Sequence, residues 1–264
     1  MATFFTLASS SAGNSSYIGA RSGGILVDCG INCRAVESGL NSRDIKPEKL
    51  SGILITHEHI DHIKGLKVFL KRYDIPVYAT APVLRYLAEY GLVPPTAELC
   101  EIDTRNLVLG GMLIEPFVTS HDSVGSRGYR ITTPDEHRVT VCTDTGYITD
   151  DAREHLLGSN AVLIESNYDR MMLMAGTHYP YPLKMRIDGK FGHLSNADCA
   201  SFLPELVRSG TTHIVLGHLS KENNIPELAE QTSVSELSLS GMRRSDDYVL
   251  FAGPRNELSE NILL

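Results

Sequence analysis

The sequence predicts a layered α/β sandwich in which two β-sheets pack together with helices outside. Two patterns lead there. Short apolar runs with strand character recur along the chain with helical segments between them, and the residues that carry chemistry fall where those runs end. The 264 residues are 42% hydrophobic, with no Pro-rich, Gln-rich or long like-charge tract, no fixed-period repeat and no convincing linker. A single domain over residues 1–264 with a sizeable core is expected.

Residues 17–28 read as a hairpin, because Tyr17-Ile18 and Ile25-Leu26-Val27 flank the turn-forming Ser22-Gly23-Gly24. Residues 50–56 form a continuous apolar run typical of a buried strand, followed by a helical segment over 63–73. Residues 76–79 read as a strand, and Pro82 opens a helix carrying residues 83–90. Further strands are expected at 107–119, 129–132, 138–143, 161–165, 213–216 and 248–251, with helices at 148–157 and 196–209. The polar stretch 221–244 is expected at the periphery.

A net charge of −8 argues against a protein that coats nucleic acid non-specifically. It does not exclude a nuclease, since cations held in a cleft reverse the field where a phosphate binds. The patch Phe4-Phe5-Thr6-Leu7 follows no basic segment, and no later run approaches membrane-spanning length, so a cytoplasmic location is expected. Five cysteines without a CxxC pair indicate reduced, mostly buried thiols rather than a disulfide framework or a thiolate metal site.

The strongest signal is His57-Glu58-His59-Ile60-Asp61-His62, four potential metal ligands within six residues where a strand runs into a helix. In an extended segment residues two apart face the same side, so His57 and His59 converge on one ion. Asp61 and His62, on the turn into the helix, serve a second. Neutral imidazole with carboxylate suits zinc, manganese or iron. The competing reading, a histidine-rich surface turn, fits poorly after a buried strand.

These residues resemble the HxHxDH motif of the metallo-β-lactamase superfamily, and further stretches in the same order extend the likeness over most of the chain. Val27-Asp28-Cys29-Gly30 resembles the first motif, whose aspartate supports the metal site. Val118-Thr119-Ser120-His121-Asp122 resembles the third, Cys142-Thr143-Asp144-Thr145-Gly146 the segment with the bridging aspartate, and Leu216-Gly217-His218-Leu219-Ser220 the last. Taken singly, His121, Asp144 and His218 would more often be polar strand-end residues. Together they imply a four-layer αββα sandwich with two divalent metal ions, zinc by default and manganese or iron as alternatives. His57, His59 and His121 would hold one ion, Asp61, His62 and His218 the other, and Asp144 would bridge them. Two such ions share and activate a water, the implied nucleophile, with Asp61 counted also among the catalytic residues.

The fold alone does not decide the substrate. An aspartate at position 144, where zinc β-lactamases often carry cysteine, favours the esterase and phosphodiesterase branches. Glu165 in Ile164-Glu165-Ser166-Asn167-Tyr168 and His193 in Gly192-His193-Leu194-Ser195-Asn196 resemble the Glu…His pair of the phosphodiesterase branches, in which the histidine protonates the leaving oxygen. The likeness extends to the YycJ/WalJ group of bacterial metallo-hydrolases through Ser11-Ala12-Gly13-Asn14-Ser15-Ser16, Tyr181-Pro182-Leu183-Lys184, Arg186-Ile187 and His218-Leu219-Ser220-Lys221-Glu222-Asn223-Asn224. It implies a 5′-to-3′ DNA exonuclease with DNA as its partner. His178 and the Tyr-Pro repeat after it depart from the group's usual spacing.

Lys184 and Arg186, two apart, would present two cations on one face if extended, and backbone amides of residues 9–16 could meet a phosphate. A solvated strand face and a plain loop are the competing readings. The segment between Asp144 and Glu165 leaves no room for the arm of tRNA-maturing members, nor does the interval to His218 hold the inserted domain of β-CASP nucleases. The remaining alternatives are a small-molecule hydrolase of cyclic phosphodiesters, thioesters or lactones, which the acidic surface favours, and a binding domain without chemistry, which the full ligand set disfavours.

Overall fold

The computed structural model describes residues 2–21 and 23–264. The first sheet is built from β1 (Thr3–Ser10), β2 (Gly13–Ala20), β3 (Gly23–Val27), β4 (Leu50–Leu54), β5 (Val77–Ala79) and β6 (Leu99–Glu101). Helices α1 (Cys33–Asn41), α2 (Ile60–Ile63), α3 (Leu66–Leu70) and α4 (Ala81–Glu89) fill its connections. The second sheet takes β7 (Leu107–Leu109), β8 (Met112–Val118), β9 (Arg127–Thr132), β10 (Arg138–Cys142), β11 (Ala161–Glu165), β12 (His213–Gly217) and β13 (Val249–Ala252). Along it run α5 (Asp150–Leu156), α6 (Arg170–Ala175), α7 (Tyr181–Ile187), α8 (Asn196–Arg208) and α9 (Pro226–Leu239), and β14 (Ile262–Leu263) returns to pair with β1.

Both sheets follow one plan. β1, β2 and β3 pair antiparallel and then β3 to β6 run parallel; β7 to β10 pair antiparallel and then β10 to β13 run parallel. Strands buried on both faces need no polar alternation, which is why their sequences are continuous apolar runs. The two-residue period instead sorts side chains between layers. Ile25, Val27 and Leu54 face Ile114, Tyr129, Leu163 and Val215 between the sheets. Leu26 and Ile53 face Val36 and Leu40 of α1, Phe69 of α3 and Leu87 of α4. Val162, Ile164, Ile214 and Leu216 face Leu156 of α5, Leu203 and Leu206 of α8, and Leu237 of α9. Three apolar layers separate four layers of structure, the αββα sandwich.

The expected hairpin is β2 and β3, with Ile18 opposite Ile25; Ser22 of its turn lies outside the described residues. Several expectations need correction. The run 107–119 is two strands, because Gly110 and Gly111 both take positive φ, 57° and 77°, and turn the chain back. The helical segment 63–73 starts earlier and is broken into α2 and α3. β1 was not expected: it is buried on both faces, and Thr6, Ala8, Ser9 and Ser10 interrupt and follow Phe4, Phe5 and Leu7, so it shows neither alternation nor a long apolar run. Nor is 221–244 peripheral throughout, since α9 buries Ala229, Ser233 and Leu237, four residues apart, in the outer core. Among the described residues no helix is long and apolar enough to cross a membrane.

This topology points β3, β4, β8, β10, β11 and β12 at one end of the sandwich, where their carboxyl ends open onto a shared edge, the usual place for a ligand in such sheets. Tyr129, fully buried between the sheets, donates its hydroxyl to the Ile55 carbonyl at 2.8 Å and so ties the second sheet to the backbone just ahead of His57. Tyr129→Phe leaves that carbonyl without this donor, and about 1–2 kcal/mol of stability should be lost on denaturant unfolding.

Candidate metal centre

Three strands end in a left-handed residue at the shared edge: Asp28 after β3 (φ 63°), Asp144 after β10 (φ 57°) and His218 after β12 (φ 54°). Residues with a Cβ rarely adopt this conformation, which costs on the order of 1–3 kcal/mol and recurs where function demands it. It turns each side chain into the space above the strand ends. Close approach of the α2 turn depends on Gly30, where a Cβ would lie 1.7 Å from the Asp61 carbonyl oxygen.

Four of the histidines, His57, His62, His121 and His218, are held by one nitrogen with the other aimed inward. His62 donates from Nδ1 to Asp28 Oδ2 at 2.7 Å, and His121 from Nδ1 to the Gly192 carbonyl at 2.9 Å. His57 Nδ1 lies 3.0 Å from Thr56 Oγ1, which in turn donates to Asp28 Oδ2 at 2.9 Å. His218 donates from Nδ1 to Glu165 Oε1 at 2.8 Å. This outer ring fixes tautomer and orientation, as it does around bound metals. Inward, His59 Nδ1 and His121 Nε2 stand 3.2 Å apart, and Asp61 Oδ2 lies 3.2 Å from His218 Nε2 and 3.4 Å from His62 Nε2.

Potential ligand atoms converge in overlapping sets: His57, His59 and His121; His57, His62 and Asp144; Asp61, His62 and His218. Asp144 sits between the first and last, 3.7 Å from His121 Nε2 and 3.4 Å from His218 Nδ1 through Oδ1, and 3.2 Å from His62 Nε2 through Oδ2. All seven residues singled out as ligands meet here, and a fourth set joins Asp144 and His218 to Glu165 and His193.

The electrostatics of the site are those of a cation cavity. Burial pushes His57 well below the usual imidazole range and lowers His121, so both keep free lone pairs at neutral pH. Burial also disfavours charge on His62 and His218, yet the surrounding carboxylates prevail. Asp144, Asp28 and Asp61 hold His62 well above its usual value, and Asp144, Asp61 and Glu165 raise His218 to about 10. Asp144 and Asp61 stay ionised despite burial because these imidazoles face them. One buried atom, His57 Nε2, has no hydrogen-bond partner. Such orphans are costly unless something else binds them, and imidazole nitrogens with carboxylate oxygens form a donor set for a divalent ion.

His193 and Glu165 lie alongside. Glu165 is fully buried; its Oε1 accepts from His193 Nδ1 and His218 Nδ1, both at 2.8 Å, and its Oε2 from the amides of Thr145 (2.8 Å) and Leu194 (3.2 Å). Burial raises its pKa, but His193 and the second imidazole bring it below the usual carboxylate value. Thr56 and Asn14 also belong to the site. Asn14 Nδ2 donates to the Ser10 carbonyl at 2.9 Å and reaches Asp61 Oδ2 at 3.3 Å. Nothing in a lone Thr or Asn marks such a role; only adjacency to His57 and the Gly13-Asn14-Ser15 string hinted at it.

Residues 9–16 are the β1–β2 hairpin rather than a plain loop. The pairing of Lys184 with Arg186 fails, because 181–187 is helical and residues two apart point to different sides. Lys184 is buried, its Nζ donating to the carbonyls of Met174 (2.8 Å) and Gly176 (2.5 Å) at the end of α6, whereas Arg186 pairs with Asp122 beside the metal-ligand set. His178 is exposed and stands apart from the centre, 3.8 Å from Glu222.

The model of the beta-lactamase superfamily domain matches residues 24–218, which includes all seven ligand candidates. The chain belongs to this family. It is 37% identical over 235 residues to "Exodeoxyribonuclease YycJ" of Bacillus anthracis, covering 89% of this chain and 88% of that one. It is likewise 37% identical over 248 residues to "Exodeoxyribonuclease WalJ" of Streptococcus pneumoniae, covering 93% and 91%. Among solved structures, the metallo-beta-lactamase fold protein YhfI of Bacillus subtilis superposes with a TM-score of 0.71 at 15% identity, over 98% of both chains, a likeness of fold. As a member of this family the chain is a metal-dependent hydrolase.

Asp28→Asn replaces the carboxylate that His62 and Thr56 share, and metal affinity measured by chelator competition should fall about 10–100-fold. Because His62 and His218 carry protons that an ion must displace, metal titration near neutral pH should release protons, and affinity should weaken as pH falls. Affinity that does not change with pH would contradict the assignment of these two rings.

Proposed function

We propose that the chain is a two-metal phosphodiesterase of one domain that degrades DNA from the 5′ end. The observation that carries this reading is the Glu165–His193 hydrogen bond beside Asp144, which supplies a positioned acid at the edge of the ligand cluster. The thiolate of a thioester needs little help of this kind, whereas the alkoxide of a phosphodiester leaves poorly without a proton. The two exodeoxyribonuclease relatives, aligned over most of their length, point the same way.

His57, His59 and His121 would hold one divalent ion and Asp61, His62 and His218 the other, with Asp144 common to both. Two such ions lower the pKa of a water between them and draw charge from phosphate oxygens. The chain's own residues do the rest. Asp28 and Thr56 keep His57 and His62 in the ligating tautomer. Glu165 holds the Nδ1 proton of His193, leaving Nε2 of a side chain that is 21% exposed to give its proton to the leaving oxygen. Zinc, manganese and iron all suit the donor set.

His193→Ala should slow phosphodiester hydrolysis about 10²–10⁴-fold with the metal content, read by elemental analysis, unchanged. Glu165→Gln should reduce both turnover and metal content, because Glu165 also holds His218. The decisive experiment digests a 5′-labelled blunt duplex with added manganese or zinc. Metal-dependent release of label, lost in Asp61→Ala and His59→Ala, supports the proposal. No release, with a chromogenic phosphodiester or thioester still hydrolysed, moves the substrate to a small molecule, the reading that a net charge of −8 favours.

A further inference from the structure

We propose that the cleft beside His193 is a seat for one unpaired nucleotide, the 5′-terminal residue of the strand being cut, with its base against the Leu183–Ile187 face of α7 and its phosphate at Arg186. The inference rests on the phosphodiesterase reading and adds which part of the substrate each wall meets. The cleft holds about 240 Å³ and opens directly onto His59, His121 and His193. This is smaller than the ~300–1,000 Å³ of sites for drug-sized ligands.

Its walls are divided by chemistry. Leu183, Arg186 and Ile187 stand at i, i+3 and i+4 on α7, so one helix face presents two apolar side chains and one guanidinium, and Tyr179 adds an aromatic side chain. An apolar and aromatic wall accepts the face of any base, as in single-strand binding sites. Arg186 is the one Arg or Lys among the described lining residues. Asp122 holds it through Nε, and its side chain remains 60% exposed, so the terminal nitrogens are available to a phosphate oxygen.

The position of the cleft decides which nucleotide sits there. The same segment that forms α7 continues to His193, whose amide donates to the Ile187 carbonyl at 2.9 Å, so wall and acid move as one unit. Buried Lys184 ties that helix to the end of α6. In hydrolysis the water oxygen joins phosphorus, the P–O3′ bond breaks, and the His193 proton goes to O3′. The group that leaves is therefore the terminal nucleotide, through its O3′, and it lies on the His193 side, in this cleft. Entry of a single base requires the end of a duplex to fray first.

Calorimetric titration of the zinc-loaded protein tests this without DNA. Deoxyadenosine 5′-monophosphate should bind about tenfold more tightly than deoxyribose 5-phosphate, which lacks the base. Leu183→Trp, placed at a half-buried position to fill the cleft, should abolish that difference with metal content and Tm retained. Arg186→Ala, at an exposed position, should weaken both ligands together. Equal binding of the two ligands by the parent protein overturns the base seat while leaving the phosphodiesterase reading intact. Base-dependent binding in a protein that cuts 3′,5′-cyclic AMP but no labelled DNA end overturns the strand-end assignment and gives the seat to a free nucleotide. Faster release of the first nucleotide from A·T than from G·C duplex ends, lost in Leu183→Trp, supports it.

Discussion

The structure depends on a concentration of buried charge and lone pairs at one edge of the sandwich. Asp28, Asp144 and Glu165 are buried there among His57, His62, His121 and His218. An unpaired buried charge costs several kcal/mol, a large share of the stability of an ordinary domain. The protons on His62 and His218 offset the carboxylates, but His57 Nε2 still lacks a partner. Imidazole nitrogens and carboxylate oxygens brought together in this way form a cluster that fits a divalent metal site.

Supporting that edge occupies much of the fold. Parallel strand ends bring Asp28 and His57 from the first sheet to Asp144, Glu165 and His218 from the second, and the shared apolar layer holds the two sheets in register. Three of the contributing residues adopt backbone conformations that an L-residue avoids, and their cost is borne by the packed strands on either side. Glu165 joins two histidines of the site, since one oxygen accepts from both His218 and His193. A change at that carboxylate reaches both, whereas a change at His193 reaches one. The α7 segment extends the same logic outward, carrying the cleft wall and His193 on a single stretch of chain.

Much of this was legible in the sequence and some was not. His57, His59, Asp61 and His62 stand close together in the chain, and their spacing alone proposes a metal site. His121, Asp144, His218, Asp28, Glu165 and His193 became visible only as members of an ordered set at strand ends. The pairing of Lys184 with Arg186 failed for a physical reason: an i, i+2 pair shares a face in a strand and is separated in a helix, and the Tyr-Pro repeat before it gave no periodicity to choose between them. Thr56, Asn14 and Asp122 went unassigned because hydroxyl, amide and carboxylate side chains are ordinary at turns.

The sequence by itself determined the class of fold and the chemistry of the ligand set, since strand runs, helix starts and residue types are local properties written in consecutive positions. Tertiary structure decided which nitrogen of each ring faces inward, that Asp28 serves His62 and His57 through Thr56, that Glu165 joins two histidines, and that Arg186 rather than Lys184 borders the cleft. These follow from contacts between residues tens to hundreds of positions apart. No local pattern encodes such distances; packing of the two sheets sets them.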